Sequence, residues 1–161
     1  MNDYFLELGE AANLAAYCHQ VAYVNKVWQP IIGWEGTPVS LSQLLINSTL
    51  KEINKEFPIA RAGILRMMPN QMYHWHKDET RQVSINMLLT AHSSSNCLFG
   101  KPINRDNMVF TELKYKPNTL YLFNTQVLHT VINFEQPRFL LSTEFDPSVT
   151  YEMIYNWKVS N

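Results

Sequence analysis

Residues 62–89, AGILRMMPNQMYHWHKDETRQVSINMLL, decide the fold. They hold three short apolar, aromatic and β-branched runs: Ala62–Met68, Tyr73–His76 and Gln82–Leu89. Pro69-Asn70 and the charged segment Lys77–Thr80 separate them. No run sustains a helical period, and turn residues fill the breaks, so the pattern predicts strands. The same texture continues downstream. Further strands are expected at Cys97–Phe99, Met108–Tyr115, Thr119–Asn124, Leu128–Asn133 and Arg138–Glu144. Turns are expected at His92–Asn96, Lys101–Asn107, Lys116–Asn118 and Glu135–Pro137. Short strands at this spacing predict a jelly roll or small barrel.

The chain before Pro58 reads differently. Ala, Leu, Glu and Gln dominate Leu6–Lys26, which predicts a helix with Gly9 as an internal breaker. Pro30, Gly33, Gly36 and Pro38 then punctuate a loop. A second helix is expected from Ser40 or Ser42 as N-cap, through Leu44, Leu45, Leu50 and Ile53, ending before Pro58. The expected architecture is one domain over residues 1–161. It is mainly β, with a helical support region at 1–58 and the jelly-roll core at 59–161.

Composition is that of a globular protein: 46% hydrophobic and 17% charged residues argue against disorder. Thirteen basic against fourteen acidic side chains leave a net charge of -1, so no global field favours nucleic acid or a membrane surface. No apolar run approaches the roughly 18 residues of a membrane span. Met1-Asn2-Asp3-Tyr4 lacks the flank of a secretion signal. Cys18 and Cys97 form no CxxC pair and read as free buried thiols in a reducing compartment, so a cytoplasmic protein is expected.

The chemistry gathers at His76-Lys77-Asp78. On extended chain, residues two apart point to one face, so an imidazole and a carboxylate can reach the same ion. His129, within Leu128-His129-Thr130-Val131, is the third ligand candidate. Two histidines and one carboxylate form a facial triad that suits iron(II), because coordination positions stay open. Arg138 follows nine residues later at the start of another apolar run. A guanidinium projecting into a barrel is costly to bury unless a ligand brings a carboxylate to it. HxD alone is a weak signal; its order with His129 and Arg138 gives it weight. His74 competes, being two residues from His76, but a His74–His76 pair lacks the neutralising carboxylate. Tyr73, Trp75 and Arg66 either line the approach or serve packing and solvation. His19 reads as a surface or packing residue, and His92 as part of a polar loop.

At these residues the sequence resembles the iron(II)/2-oxoglutarate oxygenase superfamily. His129-Thr-Val-Ile-Asn133 followed by Pro137-Arg138-Phe-Leu-Leu-Ser142 is similar to the second half of its motif. Leu65-Arg66-Met-Met-Pro69-Asn70 followed by Trp75-His76-Lys77-Asp78 is similar to the approach to the first ligand pair. Small aspartyl/asparaginyl hydroxylase-like and prolyl hydroxylase-like domains look most alike, over about Ala62 to Phe145. The resemblance implies a double-stranded β-helix of the cupin-like kind and an iron ion, Fe(2+), on His76, Asp78 and His129. It also implies 2-oxoglutarate as cosubstrate, with Arg138 on its far carboxylate, and dioxygen-dependent hydroxylation. Aspartyl hydroxylases of that branch carry glycine where this chain has Asp78, which weakens a carry-over of their substrate and strengthens the iron site.

The resemblance further implies a polar contact to 2-oxoglutarate on the strand after HxD. Strand parity then turns Ser84 and Asn86 inward and Ile85 and Met87 outward, making Asn86 a cosubstrate partner or a structural amide. Ser142 shares a face with Arg138 and is a further candidate. The expected partners are dioxygen and a small-molecule or peptidyl substrate, without a membrane; oligomeric state stays open. Two rivals stand: a metal cupin that uses no oxoacid, and a non-catalytic ligand-binding jelly roll. Arg138 argues against the first, the complete triad against the second. Selectivity is expected in the loops His92–Asn107 and Trp28–Pro38.

Overall fold

The computed structural model describes residues 2–31, 33–90 and 94–161. In chain order the elements are β1 (Phe5–Glu10), α1 (Ala12–Val24), β2 (Gln29–Ile31), β3 (Trp34–Val39), α2 (Leu41–Leu44) and α3 (Ser48–Glu56). Then come β4 (Ile59–Met67), β5 (Gln71–His76), β6 (Ser84–Leu88), β7 (Ser95–Pro102) and β8 (Met108–Glu112). β9 (Thr119–Phe123), β10 (His129–Asn133), β11 (Arg138–Phe145) and α4 (Tyr151–Ser160) complete the chain. The strands form two antiparallel sheets, a major one ordered β1-β9-β6-β11-β4-β3-β2 and a minor one ordered β5-β10-β7-β8. The expected strands after Pro58 all form, and they build the jelly roll.

The central strands of the major sheet, β9, β6 and β11, are buried on both faces, while β2 at its edge is exposed. One face packs on the helices through Leu14, Leu44, Leu50, Ile53, Ile64, Ile85 and Leu141. The other meets the minor sheet through Met67, Phe99, Tyr121, Phe123 and Val131. Fully burying each such side chain contributes about 1.5–3 kcal/mol. Ile85 and Met87 thus do point away from the barrel interior, but into a helix-covered core rather than solvent. That explains why β6 is buried at every position although polar and apolar residues alternate along it.

Residues 1–58 hold three strands besides the helices expected there. Phe5–Glu10 is a strand paired with β9, and the helix starts only at Ala12. Gly9 decides the boundary: its φ of +116° is left-handed backbone that no α-helix can use, beside a register shift between Glu7 and Gly9. The expected loop around Pro30–Pro38 is a hairpin of β2 and β3 that extends the major sheet past β4. Gly33, at φ +75°, supplies its turn. Pro30 sits on the edge strand and Pro38 lies past the end of β2, where a missing N–H is tolerated. The second expected helix is two. Ser40 occupies the N-cap of α2, but its hydroxyl bonds that of Ser42, whereas Asn47 caps α3 by accepting from the Leu50 N–H at 3.0 Å. α4 was not anticipated from the sequence; Thr150 caps it, and Tyr151 donates to the Asn2 carbonyl at 2.7 Å. Among the described residues no helix is long and apolar enough to cross a membrane. His92 and its immediate neighbours lie outside the described residues.

Candidate metal centre

β5 and β10 run antiparallel with His76 directly opposite His129. Two residue steps along β10, from His129 to Val131, are matched by three on β5, from His76 to Tyr73. This β-bulge puts Tyr73 and His76 on the same inward face despite their odd spacing. His74 is exposed as a result and contributes its carbonyl, which accepts from His76 Nδ1 at 2.6 Å. Likewise, the Val127 carbonyl accepts from His129 Nδ1 at 2.8 Å. A carbonyl only accepts, so each Nδ1 carries the hydrogen and each Nε2 presents its lone pair. Second-partner bonds of this kind fix the ring orientation of metal-ligating histidines.

Asp78 lies just beyond β5, its N–H donating to the Thr125 carbonyl at 3.0 Å. Its Oδ1 is 3.4 Å from His76 Nε2 and 3.8 Å from His129 Nε2. The three potential ligand atoms all lie within 4.8 Å of one another, around a point where one ion fits. The other carboxylate oxygen, Oδ2, accepts from Arg81 Nε and Nη2, both at 2.7 Å. Arg81 Nη1 continues to the Ser142 hydroxyl at 3.1 Å. Gln126 Nε2 and the Thr125 hydroxyl hold the Arg81 carbonyl at 2.7 and 2.6 Å, so the loop is tied down.

The electrostatics prepare these groups for a cation. Burial pushes the Asp78 carboxyl up, but the adjacent His76 ring and the Arg81 charge outweigh it and hold it below the usual range. Burial also pushes His129 down to about 4, against the pull of the Val127 carbonyl, so its imidazole is neutral at pH 7.

Arg138 opens β11 and is 1% exposed. Its Nε donates to the Ser95 hydroxyl at 3.1 Å, and its guanidinium lies over the rings of Trp34 and Tyr115, at 5.4 and 5.6 Å. Nη1 is buried without a hydrogen-bond partner among the described residues, as are Asn86 Oδ1 and Ser84 Oγ. All three belong to one cavity of about 50 Å³ that reaches to His76 and His129. Leaving a buried polar group unsatisfied costs about 1–3 kcal/mol, and more for a charge. Of the three, Arg138 Nη1 and the Ser84 hydroxyl can donate to an anion, whereas Asn86 Oδ1 can only accept.

No protein-family model matches this sequence, and no curated protein matches it. Solved structures do. An oxidoreductase of the 2OG-Fe(II) oxygenase family from Burkholderia pseudomallei superposes with a TM-score of 0.67 at 14% identity, over 91% of this chain and 85% of that one. A prolyl hydroxylase from Trichoplax adhaerens, in complex with a hypoxia inducible factor oxygen degradation domain peptide fragment, gives 0.65 at 13% identity, over 97% and 87%. HygX from Streptomyces hygroscopicus, with nickel, 2-oxoglutarate and hygromycin B bound, gives 0.63 at 12% identity, over 89% and 83%. The fold is that of the 2-oxoglutarate/iron(II) oxygenases.

Within this oxygenase fold the six residues singled out from the sequence converge. His76, Asn86, His129, Arg138 and Ser142 line the cavity, and Asp78 meets both histidines at its metal end. Asn86 and Ser142 also sit directly opposite one another on β6 and β11. Arg66 pairs with Glu35 at 2.7 Å and lies over Trp28, and Trp75 stacks on Phe110; neither lines the cavity. Tyr73 does line it, with its ring centroid 4.0 Å from that of His76. Sequence reasoning missed Arg81, Trp34 and Tyr115. A charge three residues after Asp78 was a usable signal for Arg81. Trp34 and Tyr115 arrive through strand pairing that no local pattern announces.

Proposed function

We propose that this chain acts as a single domain and is an iron(II)- and 2-oxoglutarate-dependent dioxygenase that hydroxylates an amino-acid residue, a free amino acid or a small metabolite. The observation that carries the proposal is Arg138: a buried guanidinium whose Nη1 has no hydrogen-bond partner among the described residues, in the same cavity as two histidines and next to a carboxylate. A metal site alone would suit many cupins; a buried cation waiting for a carboxylate suits one that takes an oxoacid. HygX was solved with nickel and 2-oxoglutarate bound, which supports placing both groups in this cavity.

His76 Nε2, His129 Nε2 and Asp78 Oδ1 would hold the iron. Arg138 would bind the far carboxylate of 2-oxoglutarate, with Asn86 and Ser142 along its side. Bound there, the iron supplies oxidative decarboxylation of the oxoacid, with dioxygen, coupled to oxidation of a substrate C–H bond. The chain's own part is to leave positions open on the ion, orient the oxoacid and keep the His129 imidazole neutral. Arg81 occupies Asp78 Oδ2, so only Oδ1 is left for the ion. Phe99 and Phe123 pack around His129 and exclude water from that side. The solved relatives include one with a peptide and one with hygromycin B, so the fold itself selects no substrate class.

The test is anaerobic addition of iron(II) and 2-oxoglutarate to the purified protein. A weak visible charge-transfer band is expected, with weaker oxoacid affinity in Arg138→Ala. Absence of the band, together with unchanged affinity in Arg138→Ala, would overturn the proposal. Succinate release across a panel of free amino acids and peptides then identifies the substrate.

A further inference from the structure

A second cavity, of about 200 Å³, abuts the first. Thr90, Ser95, Glu112 and Lys114 give it a polar lining. Ser95 accepts the hydrogen bond from Arg138 Nε, so this space begins just past the arginine. Among the described residues only Cys97 and Tyr115 line both cavities. Cys97 is short and sits on β7, facing Val131 of β10. The partition between the two spaces is therefore chiefly the Tyr115 ring.

That ring is held firmly. It meets Tyr121 edge-on at 5.2 Å and flanks the Arg138 guanidinium, and its hydroxyl lies beside Asn86 and Arg138. A carboxylate bound by the Arg138 guanidinium, whose Cζ is 5.6 Å from the Tyr115 ring centroid, would lie close to that ring. We infer that Tyr115 is the end wall that sets the length of the oxoacid this site accepts, separating it from the larger polar cavity behind. The inference rests on the oxoacid reading above. One added methylene, as in 2-oxoadipate, would drive the far carboxylate into a fixed aromatic ring. Rejection by collision is sharper than a mere loss of attraction. Without the ring, the two spaces join, and the longer acid gains room beside Ser95 and Lys114.

The experiment compares 2-oxoglutarate with 2-oxoadipate, by anaerobic iron(II) charge-transfer titration and by thermal shift. Wild type is expected to prefer 2-oxoglutarate by about tenfold or more, the discrimination one methylene commonly brings. Tyr115→Phe keeps the ring and should keep that preference, while binding both acids more weakly. Tyr115→Leu and Tyr115→Ala should shift the ratio toward 2-oxoadipate by about tenfold or more. Equal binding of the two acids by wild type overturns the inference. So does a folded Tyr115→Ala with an unchanged ratio, or a Tyr115→Phe that shifts the ratio as far as Ala does. If Leu and Ala fail to fold, the wild-type and Phe ratios still decide. Wild type that binds neither acid overturns the oxygenase proposal itself, a result distinct from binding both equally.

Discussion

The two ends of the barrel cavity are built to opposite rules. At the metal end each potential ligand already has a hydrogen-bonded support: His76 on the His74 carbonyl, His129 on the Val127 carbonyl, Asp78 on Arg81. At the other end, Arg138 Nη1, Asn86 Oδ1 and Ser84 Oγ are buried without partners among the described residues. A satisfied network holds geometry in advance, whereas an unsatisfied one stores a cost that only a ligand removes. One end is therefore held in place in advance, and the other carries buried polar atoms with an unmet need.

The contrast breaks most visibly at Arg138. Arg138→Met should weaken 2-oxoglutarate binding by about 2–5 kcal/mol, the usual cost of losing one partner of a buried charge pair. The same substitution should leave the ligand-free chain equally stable or more stable, by up to about 4 kcal/mol, because a buried charge gives way to an apolar side chain. Titration calorimetry and urea unfolding measure the two halves. A ligand-free Arg138→Met much less stable than wild type would show that Arg138 is satisfied without a ligand.

Acid should undo the metal end. His129 has a folded-state value of about 4 against 6.5 unfolded. Its contribution to stability is thus complete above pH 6.5 and is lost as the pH falls toward 4. That loss amounts to roughly 3 kcal/mol for the ligand-free chain. Urea unfolding across this range should show the slope in wild type and lose it in His129→Gln. A smaller effect is expected at Arg81. Arg81→Gln frees Asp78 Oδ2 and should weaken cobalt(II) or iron(II) binding about 10–100-fold, with Arg81→Lys in between. The smallest belongs to His74. His74→Ala should change stability by less than about 0.5 kcal/mol and leave the charge-transfer band intact, since only its carbonyl is used. Loss of the band would mean that β5 runs without its bulge.

The barrel was legible because its strands are short, apolar and cut by turn residues, and pairing merely assembles them. His76, Asp78, His129 and Arg138, which the structure brings together, stood out in the sequence because the resembled family carries such side chains in that chain order. What escaped notice was set by tertiary contact. β1 carries leucine and glutamate suited to a helix, yet Gly9 and the edge of β9 make it a strand. β3 carries proline and glycine suited to a loop, yet it pairs with β4 along Glu35–Val39. Trp34 reaches Arg138 only through that pairing. The choice between His74 and His76 rested on charge in the sequence; the bulge gives it a geometric reason.

That bulge also decides what the strand can lose. It absorbs one extra residue between Tyr73 and His76, which would otherwise sit two apart on one face of a regular strand. Deleting one residue there would restore an even ladder and keep both side chains facing inward. Deleting two would make them neighbours, and one of them would then face outward. At that point of the barrel the number of residues therefore matters more than which residues they are.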